Sequence, residues 1–184
     1  MILPATGILL IAEPFLKDPN FMRTVVMLCR HREEEGSFGF VLNKKFHQTL
    51  DELIPDLQGF ELPVYVGGPV KMDTLHYIHP YADLLPGCQK ITEGIYWGGN
   101  FETLKNLLIN KEVDPQKIKF FLGYSGWELG QLDVEMEEKS WITVTANRNI
   151  VFDTPMEEIW KTCLKELGGR YEMMIHFPID PQLN

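Results

Sequence analysis

Cysteine is scarce in this chain and badly placed for cross-linking. The 184 residues hold three, Cys29, Cys88 and Cys163. An odd number without a C-x-x-C pair excludes a disulfide framework and a zinc site built from cysteine pairs. Cys29 falls in an apolar strand-like run and Cys163 on the apolar side of an expected helix, where thiols act as small hydrophobes. Cys88, after Pro86-Gly87 in a loop, is the most reachable of the three. Positive charge is also short, with 17 Lys plus Arg against 26 Asp plus Glu and a formal net charge of −9. Nucleic acid and anionic membranes are gripped by clustered positive charge, so neither is expected as a direct partner. Long hydrophobic runs are missing too. The run from Ile8 to Ala12 is too short for a membrane span or a signal peptide, and Met-Ile-Leu-Pro-Ala-Thr-Gly has no positive start, which places the expected location in the cytoplasm. No linker-like or low-complexity stretch divides the chain, and residues 1–184 read as one domain.

What is present is a series of short elements. Ile8 to Ala12 and Val25 to Cys29 are continuous apolar runs, as in strands buried on both faces, with a turn between them at Asp18-Pro19. Phe38 to Leu42, Pro63 to Val66, Leu75 to His79 and Ile91 to Trp97 are further strands. Ile118, Phe120, Leu122 and Tyr124 alternate with Lys119, Phe121 and Gly123 in another. Trp141 to Thr145 and Ile150 to Phe152 flank Asn147-Arg148-Asn149 and read as a hairpin. Three helices are expected. The first follows Asn100 as cap, with Phe101, Leu104, Leu107 and Leu108 on one face. The second starts at Ser125-Gly126-Trp127-Glu128, an S-x-x-E capping box followed by Leu129, Leu132 and Met136. The third starts at Thr154-Pro155-Met156-Glu157, carries Ile159, Trp160, Cys163 and Leu164, and stops at Gly168-Gly169. Strands interspersed with three helices predict a mixed α/β (α+β) domain. Tyr65-Val66-Gly67-Gly68-Pro69 and Tyr96-Trp97-Gly98-Gly99-Asn100 share one plan and predict two strand-to-helix corners.

In this order the segments are similar to a known family. Gly7-Ile8-Leu9-Leu10-Ile11-Ala12-Glu13-Pro14, Asp18-Pro19-Asn20-Phe21-Met22-Arg23-Thr24-Val25-Val26, Val64-Tyr65-Val66-Gly67-Gly68-Pro69-Val70 and Phe121-Leu122-Gly123-Tyr124-Ser125-Gly126-Trp127 with Gly130-Gln131-Leu132 resemble the bacterial YqgE/AlgH family. The resemblance runs from about residue 7 to the closing Asp180-Pro181-Gln182-Leu183-Asn184. Two departures stand out: Asn43 is followed by Lys44-Lys45 where the family usually has Arg-Pro, and Asp133 stands where Glu is common. The resemblance implies an α/β fold with a barrel-like mixed sheet. It brings no accepted enzymatic activity, and the family's frequent label of transcriptional regulator rests on genetics in one branch.

No catalytic or metal constellation emerges from the residues. Ser125 sits in a G-Y-S-G-W run resembling a nucleophile elbow, but G-x-S-x-G requires glycine where Trp127 stands. Its hydroxyl is expected to cap the following helix; a Ser125-dependent hydrolase with His176 as a distant base is the alternative reading. His76 and His79 lie three apart on a strand, which sends them to opposite faces and argues against a shared metal. His31, among Arg30, Arg32 and Glu33 to Glu35, reads as part of a solvated turn. Glu128, Asp133, Glu135, Glu137 and Glu138 read as a wet helix face. The glycine pairs, Gly67-Gly68 in particular, could present backbone amides to an anion, or serve tight turns alone. Asn20, Arg23 and Asn43 border buried strands, where they could line a polar pocket or satisfy loop carbonyls. With Ser125, Trp127 and Gln131 these form the candidate binding set. The expected function is a non-enzymatic regulatory or binding protein that recognises a protein partner or a small anionic ligand, without a cofactor.

Overall fold

A computed structural model of the chain describes residues 2–32 and 34–179; the closing motif at residues 180–184 and Glu33 lie outside the described residues. Ten strands form one sheet: β1 (Ile8–Ala12), β2 (Val25–Arg32), β3 (Gly36–Val41), β4 (Lys45–Thr49), β5 (Pro63–Val66), β6 (Val70–His79), β7 (Gln89–Thr92), β8 (Ile95–Trp97), β9 (Lys119–Trp127) and β10 (Trp141–Thr145). The main path runs β10-β1-β2-β3-β9-β6-β8-β7, with β4 and β5 branching from β9. Every pairing is antiparallel except β5 with β9, so the sheet is mixed, and it curls into a half-barrel. The helices are α1 (Leu50–Leu53), α2 (Phe101–Ile109), α3 (Gln131–Glu137), α4 (Ile159–Leu167) and α5 (Arg170–Met174). Three of them have seven residues or more. The α+β single-domain architecture expected from the residues and from the resemblance is the one observed.

The apolar runs behave as their composition dictates. In β1, Leu9 and Ile11 join a core beneath α4, while Ile8, Leu10 and Ala12 face a second layer with Trp127, Leu132 and Trp141. Burial on both faces leaves no position for a polar side chain. Helix α4 presents Ile159, Trp160, Cys163 and Leu164 to the first core, and the Trp160 indole N–H donates to Ala12 O at 2.9 Å. Helix α2 starts as expected, the Asn100 side chain accepting from Thr103 N at 2.9 Å, and fills a third core with Val64, Tyr77 and Phe120.

Strand β9 organises the whole sheet. Its first half lies between β5 and β6, and its second half pairs with β3, Ser37 opposite Trp127 and Gly39 opposite Ser125. Gly123 is the joint. Its φ is +65°, and a Cβ there would lie 2.7 Å from Gly68 O and 2.8 Å from Val70 O. Only glycine fits such a conformation at such a distance.

Several local expectations give way to tertiary pairing. Ser125 starts no helix: β9 runs on through Gly126 and Trp127 because β3 offers it ladder partners, and α3 begins six residues later, after Gly130 at φ +73°. The S-x-x-E pattern is overridden by strand pairing, and the Gln131 side chain instead accepts from Glu128 N at 3.0 Å. Gly67-Gly68 links β5 to β6, strand to strand, and only Gly98-Gly99 leads into a helix. Ile150 to Phe152 form a single π turn in place of a strand. All three are buried, and Asn147 closes the turn by accepting from Ile150 N at 2.9 Å. Ile91 to Trp97 divide into the β7–β8 hairpin. Thr154 caps nothing; its hydroxyl donates to Asn149 O at 3.0 Å, and α4 follows a 3-10 turn over Met156–Glu158. Strand β4 and helix α1 are not among the expected elements, although Thr49-Leu50-Asp51-Glu52 is a capping box that forms at the start of α1, with Thr49 N donating to Glu52 Oε2 at 2.7 Å.

Candidate functional site

The candidate residues separate into two groups. Asn20, Arg23, Asn43, Gly67, Gly68 and Ser125 surround the point where β3, β5 and β9 meet. Asn43 Oδ1 accepts from Val25 N at 2.9 Å, and its Nδ2 donates to Arg23 O at 2.9 Å. One amide side chain therefore fastens the turn before β2, where Arg23 has φ +51°. The Arg23 guanidinium lies 5.0 Å from the centre of the Trp160 ring and donates to Phe177 O. Lys44, at the departure from the family pattern, donates to Pro19 O at 2.7 Å, tying the same turn from outside. Asn20, Lys44 and Gly68 line a mainly apolar hollow of about 270 Å³.

Ser125 is wholly buried, and its hydroxyl donates to Gly67 O at 3.0 Å. Gly67 O also accepts from Val41 N at 2.9 Å, and Gly67 N donates to Leu122 O at 2.8 Å. The glycine pair is a knot of backbone bonds: a Cβ on Gly68 would lie 2.2 Å from the carbonyl carbon of Tyr124. Its amide at residue 67 is spent on a neighbouring strand. The helix cap expected of Ser125 is not formed: its hydroxyl donates to the carbonyl of a distant turn, whereas a cap would accept from an amide of its own helix.

Trp127 and Gln131 lie in the second group, where β9 ends and α3 begins. Here the indole N–H groups of Trp127 and Trp141 both donate to Glu135 Oε2, at 2.8 and 2.7 Å, and Gln131 Nε2 donates to Glu135 Oε1 at 2.9 Å. Phe21 completes the cluster with its ring centre 6.0 Å from that of Trp127 and 5.5 Å from that of Trp141. Glu135 is thus an internal acceptor, in contrast to the wet face expected of the acidic run. Residue spacing in sequence shows only the Gln131 donor, four residues earlier on the same helix; the two indole donors come from different strands.

Beside this cluster, at the β3–β9 junction, opens a hollow of about 540 Å³, lined among others by Arg30, Phe38, Tyr124, Gly126, Trp127 and Gln131. A bulge in β2 between Leu28 and Arg30 turns the Arg30 side chain outward, as an extra residue in one strand re-aims its successor. The guanidinium lies 4.9 Å from the centre of the Phe38 ring. Among the described residues no carboxylate forms an ion pair with it, whereas Glu35, in the same hollow, is held by Arg32 at 2.8 Å. Gly126 leaves the floor open; the nearest neighbour of a Cβ there would be the Tyr124 ring at 3.4 Å. His31 belongs to β2 and not to a turn, with Nδ1 2.7 Å from Ser37 Oγ. Arg30 and Tyr124 are absent from the candidate set above. Only the Arg30-His31-Arg32 cluster hinted at the first.

The histidines serve the fold. His79 donates from Nε2 to Gly98 O at 2.7 Å and accepts at Nδ1 from Tyr81 N at 3.1 Å, while His76 packs between Phe40 and Tyr124. Burial holds both imidazoles below their ordinary value, favouring the neutral ring. Among the described residues no three His, Cys, Asp or Glu side chains are grouped to hold a metal ion. Cys88 is partly covered, and burial raises its thiol pKa, the opposite of what activates a thiolate. No described helix is long and apolar enough to cross a membrane.

The fold and the sequence both find their match in known proteins. The model of a family described as AlgH-like covers residues 9–172. The chain belongs to the AlgH-like family. A UPF0301 protein of Chlorobium limicola is 40% identical over 178 residues, 97% of this chain and 95% of that one. Another from Bacteroides thetaiotaomicron is 39% identical over 184 residues, covering 100% of this chain and 93% of its own. The solution structure of the AlgH protein from Pseudomonas aeruginosa superposes with a TM-score of 0.72 at 30% identity, over 97% of this chain and 98% of that one. A crystal structure of a protein from Corynebacterium diphtheriae has a TM-score of 0.75 at 20% identity over 96% of this chain and 94% of that one, and shares the fold. The AlgH-like assignment agrees with the resemblance read from the motifs, and the departures at Lys44 and Asp133 leave it intact.

Proposed function

We propose that this AlgH-like chain is a non-catalytic binding protein that receives a small anionic ligand in the Arg30 hollow. The observation that carries the reading is the Arg30 guanidinium, exposed and held over Phe38 at the rim of a hollow of about 540 Å³. A planar cation pre-oriented on an aromatic face is suited to bind a carboxylate or phosphate through paired N–H bonds. Tyr124 and Val70 supply an apolar wall, and Glu128, which also lines the hollow, favours a ligand that carries a hydrogen-bond donor beside its anionic group. The Trp127 indole N–H is committed to Glu135, and the Gln131 amide donates to Glu135 and accepts from Glu128 N, so these two shape the wall and leave the ligand to Arg30.

A cytoplasmic setting is supported by three free cysteines, two of them buried. Any regulatory role then runs through the ligand or through a protein partner, since a chain of net charge −9 has little electrostatic pull on DNA. Nothing in the geometry favours the Ser125 hydrolase: the hydroxyl is inaccessible and has no imidazole partner among the described residues.

A thermal-shift series with small carboxylates and phosphates tests the reading. Some member should raise the melting temperature saturably in the wild type and fail to do so in Arg30→Ala. A series with no saturable member, or an unchanged response in R30A, would contradict it. So would labelling of Ser125 by a fluorophosphonate in the folded protein.

A further inference from the structure

On the other side of β9 lies a charge that the fold leaves without a counterpart. Lys119 opens β9 and is 6% exposed, yet no described carboxylate pairs with its ammonium and no described group accepts a hydrogen bond from it. The face of Tyr65 lies beside it, with its ring centre 4.9 Å from Nζ. The residue is covered while its ammonium is not sealed off, and a charge so largely desolvated without a partner is costly. Lys119 and Tyr65 both line a cleft of about 180 Å³, walled by Phe152, Met156, Pro115 and Pro155. That volume holds about six water molecules at ~30 Å³ each, enough for a short organic acid. The acidic groups nearby do not neutralise the lysine. Asp153 lines the cleft but is bonded to Lys117, and Glu157 acts on the Tyr65 phenol from the exposed start of the turn before α4. The two members of the Lys117–Asp153 pair cancel, and the cleft keeps one uncompensated positive charge at its inner wall.

We propose that this cleft is a second binding site, separate from the Arg30 hollow, which takes a small monocarboxylate whose carboxylate pairs with Lys119 and whose short apolar tail lies against Phe152 and Met156. The ligand supplies the missing counter-charge, and the apolar walls limit its length. A dianion is disfavoured because the cleft offers one free cation among the described residues and a carboxylate at its rim. The buried position also holds the lysine pKa down to about 8, from desolvation. A bound carboxylate raises that value, so binding above pH 8 takes up a proton.

The test uses propionate as probe on the full chain with [13Cε]-labelled lysine. In the wild type the Lys119 resonance should shift saturably with propionate and its titration midpoint should move upward, while inorganic phosphate has the weaker effect. Lys119→Met should bind propionate about tenfold more weakly or worse. Arg30→Ala should leave the Lys119 response intact, which separates this site from the proposed function. A Lys119 resonance and midpoint indifferent to propionate in the folded wild type would overturn the proposal, whether or not the methionine variant folds. A stronger response to phosphate would also overturn it, by assigning the cleft to a different anion.

Discussion

A carboxylate that accepts two indole N–H groups and an amide stands at the centre of one face of the molecule. Glu135 occupies a position where helical spacing predicts solvent, and its two indole donors come from the end of β9 and the start of β10. Glu135→Ala leaves Trp127 and Trp141 with unmatched N–H groups in a largely buried cluster. The expected loss is about 2 kcal/mol, read from urea unfolding, with Glu135→Gln losing less because one oxygen remains. Equal losses for the two variants would point to packing and not to the hydrogen bonds. Ser125→Ala removes one buried bond to Gly67 O, which keeps its bond from Val41 N; a loss of about 1 kcal/mol is expected, with ligand binding unaltered.

Lys119 gives the residue scale a pH dependence. Desolvation lowers its pKa from 10.5 to about 8, so between those values the unfolded chain holds a proton that the folded chain has released. Stability therefore rises with pH from about 8 to 10.5, and below 8 the full penalty of the buried charge is present. Its size is on the order of 3 kcal/mol, at about 1.4 kcal/mol per pKa unit. Without ligand, Lys119→Met should be the more stable protein at pH 7, and the gap to wild type should narrow through that window. A gap independent of pH would remove the buried ammonium as its cause. This residue was legible in part: Lys119 shares strand parity with Phe121, an odd neighbour for a charge, but its lack of a partner is a three-dimensional fact.

At the scale of elements, what could be read depended on whether a signal was local. The apolar runs of β1 and β2, the Asn100 cap of α2 and the Gly168 stop of α4 are fixed by neighbouring residues, and they form where spacing places them. The start of α3 is different. Ser125 to Glu128 satisfy a local capping pattern, yet β3 captures Ser125 to Trp127 as a strand, because ladder partners outweigh a single cap. The π turn at Ile150 follows the same logic: three successive buried apolar residues suit a core turn as well as a strand. Gly123 tests the joint in β9. Gly123→Ala places a Cβ at positive φ against two carbonyl oxygens and should lower stability by about 2 kcal/mol or more. Gly126→Ala, three residues on, meets nothing closer than 3.4 Å and should be tolerated. Matching melting temperatures for the two variants would show that β9 does not bend as described.

For the whole molecule, the motifs carried the family and the family carried the fold; the binding surfaces followed from neither. Asn20, Arg23, Asn43 and Gly67 stand out in sequence because they brace a strand junction, and polar residues that brace and polar residues that bind look alike in one dimension. Arg30 gains its role from a bulge and from Phe38 beneath it, Tyr124 from the bend at Gly123. The most direct measurement is an amide NMR titration of the wild type with the best small anion from the thermal-shift series. Saturable shifts should centre on Gly36, Phe38, Tyr124 and Gly126 and vanish in Arg30→Ala. Shifts centred on the Asn20–Gly68 hollow, or equal shifts in the variant, would contradict a receptor site at Arg30.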